Sequence, residues 1–342
     1  MTLSDISEKI KETKSDDIKL YFITRALKAN CKKSSKVLDK YLFKAYQVDV
    51  DTDIKNFLFG LTQEKLEFVI KQNYEMLDYD IITDDEEHLF TYSTKNKVFS
   101  FSDVVLNQLT DSPEKMQSVI DITSNGDELW AYCVGFNEVE NSKWIYTFRK
   151  IQPGKIAIDQ KDNIRSIKDA LRTVFNTSNQ KLELLQGQVI NLDKKIDCIY
   201  YEDTFYVLQK VNFEQLIGLQ EEYRKQAKEI VNNLKDTKII KGIEIIDSKI
   251  ETSTGLHKKL VKIARLGNYQ NLDISCVKNM KKVAKKFGVN LKTTDDNLLV
   301  IEDDKDIDNV LKMLGDYYKS GEVSGKKYGT FSGREIKTIS EK

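Results

Sequence analysis

The stretch of sequence that decides the fold is IDCIYYEDTFYVLQKVNFEQLIGLQEEYRKQAKEIVNNL, residues 196–234. It begins with two segments of alternating apolar and polar residues, 196–201 and 205–210, which flank a short acidic turn and predict a β-hairpin. From residue 213 to about residue 234 the apolar side chains recur at helical spacing, which predicts one long helix. A hairpin followed by a long helix indicates a fold of the α+β class.

A second apolar repeat follows this helix. Ile239, Ile243, Ile246 and Ile250 are spaced three or four residues apart, so they continue the helical region after a break. Helices of this total length can form either an intramolecular core or the seam of a dimer. The sequence leaves both possibilities open.

The first half of the chain mixes helices and strands. Leu3, Ile6 and Ile10 predict a short amphipathic helix, and the apolar run 18–24 predicts a strand. A helix over residues 53–73 is predicted from apolar residues spaced to share a face, which are Phe57, Leu61, Leu66 and Ile70. Four further strands are predicted at residues 76–82, 88–92, 127–135 and 143–151.

The second of the two prolines marks a predicted domain boundary. Pro153-Gly154 closes the last predicted strand of the first half, and the polar stretch 159–166 follows it. The length of 342 residues suffices for two ordinary domains. We therefore expect an acidic α+β N-terminal domain at residues 1–158 and a C-terminal domain with a hairpin, long helices and basic helices at residues 159–342.

Composition narrows the class of protein further. Apolar residues make up 40% of the chain, which is enough to bury the cores of a folded, soluble protein. The longest unbroken apolar run is only six residues, 129–134, so we expect no secretory signal, no membrane span and no direct membrane insertion. The cysteines lie far apart and predict reduced core thiols of a cytoplasmic protein; they are Cys31, Cys133, Cys198 and Cys276.

The formal net charge is zero, but the charges are segregated along the chain. Residues 255–292 carry ten Lys or Arg against a single acid, Asp273, which is a net charge of +9. Residues 45–140, by contrast, carry twenty Asp or Glu and six Lys. The basic segment has the footprint of a surface that meets a polyanion, with nucleic acid as the first candidate.

The basic segment divides into two predicted helices. Gly267-Asn268 ends the first, and Asp273 is a plausible N-cap for the second, whose inward residues are predicted to be Ile274, Val277, Met280, Ala284 and Phe287. A hairpin is predicted to follow, with strands at 289–292 and 297–301. Helix, turn, helix and hairpin is the order of a winged helix, although a six-residue turn is longer than the usual tight one.

A serine- and glycine-rich segment near the C-terminus adds basic residues beside Tyr328 and Phe331. Its glycines disfavour a helix and predict a loop, which could contact a nucleic-acid strand through charge and stacking or could pack on its own domain. The candidate DNA-contacting residues are Lys258, Lys259, Lys262, Arg265, Lys278, Lys281, Lys282, Lys285, Lys286, Lys292, Lys326, Lys327 and Arg334.

Lysines contact the phosphate backbone and do not read bases, so binding through this cluster is expected to be weakly sequence-specific. The lysines are also compatible with two different roles. They can simply solvate helix faces, or they can meet an acidic protein surface, in which case the protein is an adaptor that binds no DNA.

Signals of catalysis are poor. The chain has two histidines and no nucleotide-binding or nucleophile-elbow motif, so we assign no catalytic residue, metal or cofactor. The triplets 193–195 and 335–337 have the acid-x-Lys order of some metal-dependent nucleases. A nuclease effector is therefore an alternative function.

Two stretches resemble the KwaB family of the Kiwa antiphage-defence system. FYVLQKVNFEQLIGLQEEYRKQAKEIV, residues 205–231, resembles the hairpin-then-helix segment of that family, and LGDYYKSGEVSGKKYGTFSGREI, residues 314–336, resembles its closing segment. Residues 20–27 and 43–54 are also similar to it. Tyr317 departs from the family pattern, in which we would expect a second Asp.

The resemblance implies a cytoplasmic antiphage protein that binds and restrains phage DNA. We expect binding along the phosphates of incoming DNA to obstruct replication or transcription. It also implies a membrane partner, KwaA, which would recruit the protein to the inner face of the cell membrane. No established catalytic centre accompanies the family. We expect a homodimer or a higher homo-oligomer, because oligomerisation would raise the avidity of many weak phosphate contacts.

Overall fold

The computed structural model of the protein describes residues 1–31, 40–81, 88–95, 101–109, 113–116, 128–138, 143–151, 156–157, 173–176, 181–184, 189–190, 192, 194–251, 253–266 and 269–331. It confirms a fold that mixes helices with a large sheet, as the α+β class predicts. Contacts divide the chain into two units, Met1–Asp78 with Glu87–Gly218 and Tyr79–Glu86 with Leu219–Lys342. This division falls later than residue 158, where the sequence placed a boundary, because two hairpin strands at 198–201 and 204–207 belong to the large sheet of the first unit.

The α-helices of the described residues are α1 (Leu3–Lys11), α2 (Thr52–Lys71), α3 (Lys210–Ile217), α4 (Leu219–Asp236), α5 (Ile243–Ile250), α6 (Thr254–Leu266), α7 (Ile274–Phe287) and α8 (Asp304–Leu314). A π-helical turn spans Val104–Gln108.

The strands are β1 (Ile18–Leu27), β2 (Tyr41–Val48), β3 (Glu75–Asp78), β4 (His88–Ser93), β5 (Glu128–Asn137), β6 (Trp144–Lys150), β7 (Ile156–Ala157), β8 (Thr173–Asn176), β9 (Lys181–Leu184), β10 (Val189–Ile190), β11 (Cys198–Tyr201), β12 (Thr204–Val207), β13 (Ile240–Lys241), β14 (Leu299–Val300), β15 (Tyr318–Ser320) and β16 (Lys327–Gly329).

The first unit is built on one eight-stranded sheet with the order β2-β1-β5-β6-β11-β12-β4-β3. Neighbouring strands are antiparallel except β3 and β4, which are parallel. Residues at alternate positions along the central strands pack into one core with α1 and α2. These residues are Leu20, Phe22, Tyr132, Val134, Phe136, Ile145, Ile199 and Tyr201.

The opposite face of the sheet holds a row of aromatic rings. Ring centroids are 6.3 Å apart for Tyr21 and Tyr146, 6.0 Å apart for Phe148 and Phe205, and 5.4 Å apart for Phe205 and Phe213 of α3. Each fully buried ring of this kind stabilises the fold by roughly 1.5–3 kcal/mol. The contact of Phe205 with Phe213 packs α3 against the strand that precedes it.

A buried ion pair lies beside the β6–β11 contact. The Arg149 guanidinium donates to an Asp197 carboxylate oxygen at 2.6 Å, and the side chains are 4% and 0% exposed. The backbone N–H of Lys150 and the amide of Asn212 donate to the same carboxylate at 2.7 and 2.9 Å. These extra donors compensate the desolvation that makes a lone buried pair costly.

The edge strand β2 does not present a bare row of backbone groups. The Gln108 side chain accepts from the Ala45 N–H at 2.8 Å and donates to the Phe43 carbonyl at 3.1 Å. Further along, the backbones of Gln47 and Met116 are hydrogen-bonded at 2.8 Å. Covering an edge in this way blocks pairing with another chain.

The helix predicted at residues 53–73 forms as α2, but its predicted buried face is partly wrong. Leu66 is buried as expected, whereas Phe57 is 50% exposed. The face that packs on the sheet carries Leu58, Leu66 and Val69 instead. The error arose because α2 has apolar residues on two sides, and spacing alone does not say which side is covered.

The long helix predicted from residue 213 to residue 234 is interrupted at the residue where the first unit ends. Gly218 adopts a left-handed conformation with φ 81°, which ends α3, and α4 begins at the next residue. The apolar side of α4 packs against α5 and α6 within its own unit. The residues weighed for a dimer seam are thus buried in the intramolecular core; they include Tyr223, Ala227, Ile230 and Leu234.

The short strands β13 and β14 of the second unit pair in parallel. Gly242 follows β13 with φ +79°, and a Cβ there would lie 2.0 Å from the Ile301 carbonyl oxygen. Only glycine fits such a position. The hairpin predicted before Ile301 forms in reduced extent, with hydrogen bonds from Thr294 N–H to Leu298 and from Val300 N–H to Lys292.

Candidate nucleic-acid interface

The helix α7 is fixed at both ends by its own sequence. The Asp273 side chain accepts from the Cys276 N–H at 2.8 Å, as predicted for the N-cap, and from the Ser275 hydroxyl at 2.7 Å. The Ser275 hydrogen bond and the Cys276 N–H lower the pKa of Asp273 to about 2. At the other end, Gly288 takes a left-handed conformation with φ 71° and ends the helix.

Most of α7 faces away from the core. Val277 and Ala284 are buried, but Met280 and Phe287 are only half-buried and Ile274 is exposed, so the predicted inward face is correct only in part. The side chains that the sequence placed outward are exposed: Lys278, Lys281, Lys282 and Lys285. Their i, i+3, i+4 and i+7 spacing puts these four lysines on one side of the helix.

Among the described residues, the four exposed lysines have no carboxylate that compensates their charge. The Lys281 ammonium donates to the Asn297 side-chain oxygen at 3.1 Å, and the Lys282 ammonium donates to that of Asn279 at 3.5 Å. Both acceptors are neutral amides. In the part of the chain that the structure describes, none of the four is paired with a carboxylate.

Lys259 of α6 and Lys292, which follows α7, differ from the four exposed lysines because each is paired with a carboxylate. Lys259 donates to the Asp308 carboxylate at 2.6 Å, and Lys292 contacts Glu302 at 2.7 Å and Asp306 at 2.9 Å. The hydrogen bonds that its ammonium donates to Glu302 and Asp306 raise the pKa of Lys292. These two predicted site residues therefore have acidic partners inside their own unit.

The remaining cations of α6 lie close to the fold. Lys258 and Lys262 are half-buried, and the Lys262 ammonium lies 6.0 Å from the centroid of the Phe331 ring. Arg265 is exposed near the end of α6. The basic side chains of α7 are thus more accessible to a ligand than those of α6.

The C-terminal segment predicted to be a loop forms the hairpin β15–β16. The Lys327 ammonium donates to the Lys286 carbonyl at 2.5 Å, and the Lys286 ammonium donates to the Ser320 hydroxyl at 3.1 Å. These bonds hold the hairpin against the C-terminal end of α7, where a cation also complements the helix dipole. Lys326 is exposed on the hairpin, while Arg334 lies outside the described residues.

A cavity of about 250 Å³ lies between α7 and the segment that runs from α8 into β15. Its walls combine apolar, aromatic and polar side chains in similar measure; they include Asn279, Met280, Val283, Met313, Tyr317 and Tyr318. Sequence reasoning missed this cavity because its walls come from segments far apart in the chain. The one local signal was the Tyr317-Tyr318 pair directly after a helix.

The described residues offer no metal centre. Within the described ranges, no group of three or more His, Cys, Asp or Glu side chains is placed to hold a metal ion. His257 is buried, with its Nε2 against the Ile250 carbonyl. Of the acid-x-Lys triplets, Asp193 and residues 335–337 lie outside the described residues.

The cysteines are free thiols. Cys133 and Cys198 are buried as predicted, and burial raises the pKa of both. Cys31 and Cys276 are only half-buried, which departs from the prediction of core thiols for all four.

No helix of the described residues combines the length and apolar character needed to cross a bilayer.

Comparison with known proteins shows to which family the chain belongs. A model of the family described as Kiwa protein KwaB-like matches residues 126–324, which is more than half of the chain. No curated protein and no solved structure matches the chain. The matched range runs from the start of β5 to the tip of the β15–β16 hairpin, so it includes the fold-deciding stretch and all of α7. The resemblance noted in the sequence is thus confirmed, and the chain belongs to the KwaB-like family of Kiwa proteins.

Proposed function

We propose that this Kiwa antiphage-defence protein binds DNA through the phosphate backbone and thereby obstructs phage replication or transcription. The observation that carries the proposal is the row of four exposed lysines on α7, which have no carboxylate partner among the described residues. A row of unpaired ammonium groups on a solvent-exposed helix suits a polyanion whose charges are regularly spaced.

The dimensions of the row support this. Lys278 and Lys285 are seven residues apart, so they lie about 10 Å apart along the helix axis at 1.5 Å per residue. One strand of a duplex carries a phosphate for about every 3.4 Å of its axis. Four lysines on one side of α7 can therefore meet several consecutive phosphates without a change in the fold.

The basic surface extends beyond α7. The β15–β16 hairpin adds Lys326 and Lys327 at the end of the helix where Lys286 lies. We therefore centre the DNA-contacting surface on α7 and this hairpin, with Arg265 at its margin. Lys259 and Lys292 are neutralised locally by acids and serve the fold. Because the contacts are lysines, binding is weakly sequence-specific.

Fluorescence anisotropy of labelled duplexes of unrelated sequence tests the proposal. We expect similar affinities for all sequences and a steep loss of affinity as salt rises. A variant with Lys278, Lys281, Lys282 and Lys285 all changed to Glu should lose binding while its circular dichroism spectrum is unchanged. Undiminished affinity in the folded variant would refute the proposal.

We propose that the first unit, which contains most of the acidic segment 45–140, makes the protein contacts of the system, with a KwaA-like membrane protein as partner at the inner face of the membrane. Supporting this, three large apolar residues are exposed on one side of α2: Ile54, Phe57 and Phe68, at 42%, 50% and 54%. They are three and eleven residues apart, which is close to whole helical turns. Exposed apolar groups at such spacing are typical of a face that meets another protein.

Co-purification with the membrane protein encoded beside the gene tests the partner proposal. Changing Phe57 and Phe68 to Ser should reduce the co-purified amount, whereas changing two exposed polar residues of the same helix, Asn56 and Glu67, to Ala should not. Equal recovery with both pairs would refute a role for this face. Light scattering of the purified protein would establish whether it forms the proposed homo-oligomer, for which α4 does not provide the seam.

A further inference from the structure

We infer that the cavity beside α7 receives an unpaired nucleobase of the bound DNA. The inference rests on the proposed function, because the phosphates that α7 holds would deliver the base to the cavity. It adds a preference that lysine contacts alone do not give, namely for DNA with an unpaired base over a continuous duplex.

The position of the cavity on the helix is the first argument. Asn279 and Val283 line the cavity, and Lys282 and Lys286 lie one turn apart on the adjoining side of the same helix. A phosphate bound by these two lysines would lie along the rim of the cavity. The base attached to that nucleotide would then have the cavity within its reach.

The walls of the cavity suit a flat aromatic ligand. Tyr317 and Tyr318 present rings whose centroids are 5.3 Å apart, and Met280, Val283 and Met313 supply apolar surface. Bases of any sequence stack on tyrosine rings, so such a pocket is tolerant of sequence. Asn279, Lys312 and Asp316 add polar groups that can meet the edge of a base.

The aromatic wall is held rigidly. The Tyr317 ring lies 4.9 Å from the Phe331 ring, and a Cβ at Gly329 would come within 2.6 Å of the Tyr317 ring. A Cβ at Gly315 would likewise come within 2.7 Å of Phe331. Gly329 thus lets the hairpin close on the Tyr317 ring, and Gly315 leaves room for the Phe331 ring behind it, so the pocket is formed before any ligand arrives. A preformed pocket avoids the entropic cost of ordering its walls on binding.

In a continuous duplex the bases are stacked inside the helix and cannot enter the cavity. For a base that is already unpaired, the free-energy cost of leaving the stack is small. We therefore expect tighter binding to single strands, overhangs and bulges than to a fully paired duplex. Stacking of one base on an aromatic side chain gives a preference of roughly tenfold or more.

The test uses two DNA duplexes that differ in one position. In one, 2-aminopurine is an unpaired bulge; in the other, it is paired with thymine. Anisotropy reports binding of the whole duplex, and 2-aminopurine emission reports the surroundings of the single base. With the native protein we expect about tenfold tighter binding of the bulged duplex and a change in its emission at saturation.

A variant that fills the cavity without altering charge completes the test. Val283→Phe should abolish both the preference and the emission change, while the affinity for the paired duplex stays the same. Val211→Phe places the same ring at an exposed position of α3 and is the matched control. Met280→Trp is a second filling variant if the first does not fold.

The outcomes separate the two proposals. If the paired duplex binds but the bulge brings no preference and no emission change, the cavity inference is refuted and the proposed DNA binding stands. If neither duplex binds the native protein, the proposed function itself fails, and this inference fails with it.

Discussion

Neutralising the exposed lysines of α7 gives a quantitative prediction. With Lys278, Lys281, Lys282 and Lys285 all changed to Gln, four phosphate contacts are lost if each ammonium meets one phosphate. For duplex DNA each contact contributes about 0.9 to the slope of log affinity against log salt, so the slope should fall by about 3.6. Between about 50 and 200 mM salt, the native protein should then lose roughly 150-fold more affinity than the variant.

The paired lysines provide the internal contrast. Lys259 and Lys292 are held by carboxylates in the structure, so changing both to Gln should leave the slope nearly unchanged. Anisotropy titrations at four salt concentrations would measure both slopes, with circular dichroism to confirm that each variant is folded. The reasoning is refuted if the fourfold variant keeps the native slope, or if the pair at 259 and 292 lowers it as much per residue.

Three predictions concern stability, each measured by urea unfolding. Gly242→Ala should destabilise the protein by about 1–3 kcal/mol from its positive φ alone, with the close carbonyl contact adding to the loss, whereas Gly255→Ala, which meets nothing within 4 Å, should not. Arg149→Met leaves the buried Asp197 carboxylate without its cation and should cost about 3–5 kcal/mol; a loss under about 1 kcal/mol would contradict the pairing. The pKa of Asp273 is about 2 in the folded protein and 3.8 ordinarily, so its stabilising contribution is present above about pH 4 and is lost as the pH falls through 2. Asp273→Asn, which caps without titrating, should therefore lose less stability than the native protein between pH 5 and 2, and equal losses would count against this cap.

Local sequence patterns predicted where helices and strands form better than they predicted what those elements contact. The strand predicted at residues 18–24 forms as β1, and the hairpin of 196–210 forms as β11 and β12, because alternation and turn residues act within a few positions. Gly218 was visible in the sequence, yet the repeat of apolar residues on either side concealed the helix break that it causes.

Long-range pairing could not be predicted in the same way. Nothing near Lys259 in the sequence indicates Asp308, and the acids that hold Lys292 belong to the stretch before and within α8. A count of charges therefore found the basic segment but could not sort its ion-paired lysines from its exposed ones. The same limit applies to the cavity, whose opposite walls meet only after the hairpin folds back on α7.

The bond from Lys327 to the carbonyl of Lys286 makes two elements depend on each other. The last turn of an isolated helix frays, and a two-stranded hairpin is marginal alone. Since each here completes the hydrogen bonding of the other, unwinding of the helix end and release of the hairpin should occur as one opening event. Amide hydrogen exchange at the end of α7 and in β15–β16 should then show a common rate, and a ligand that touches either element should slow exchange in both.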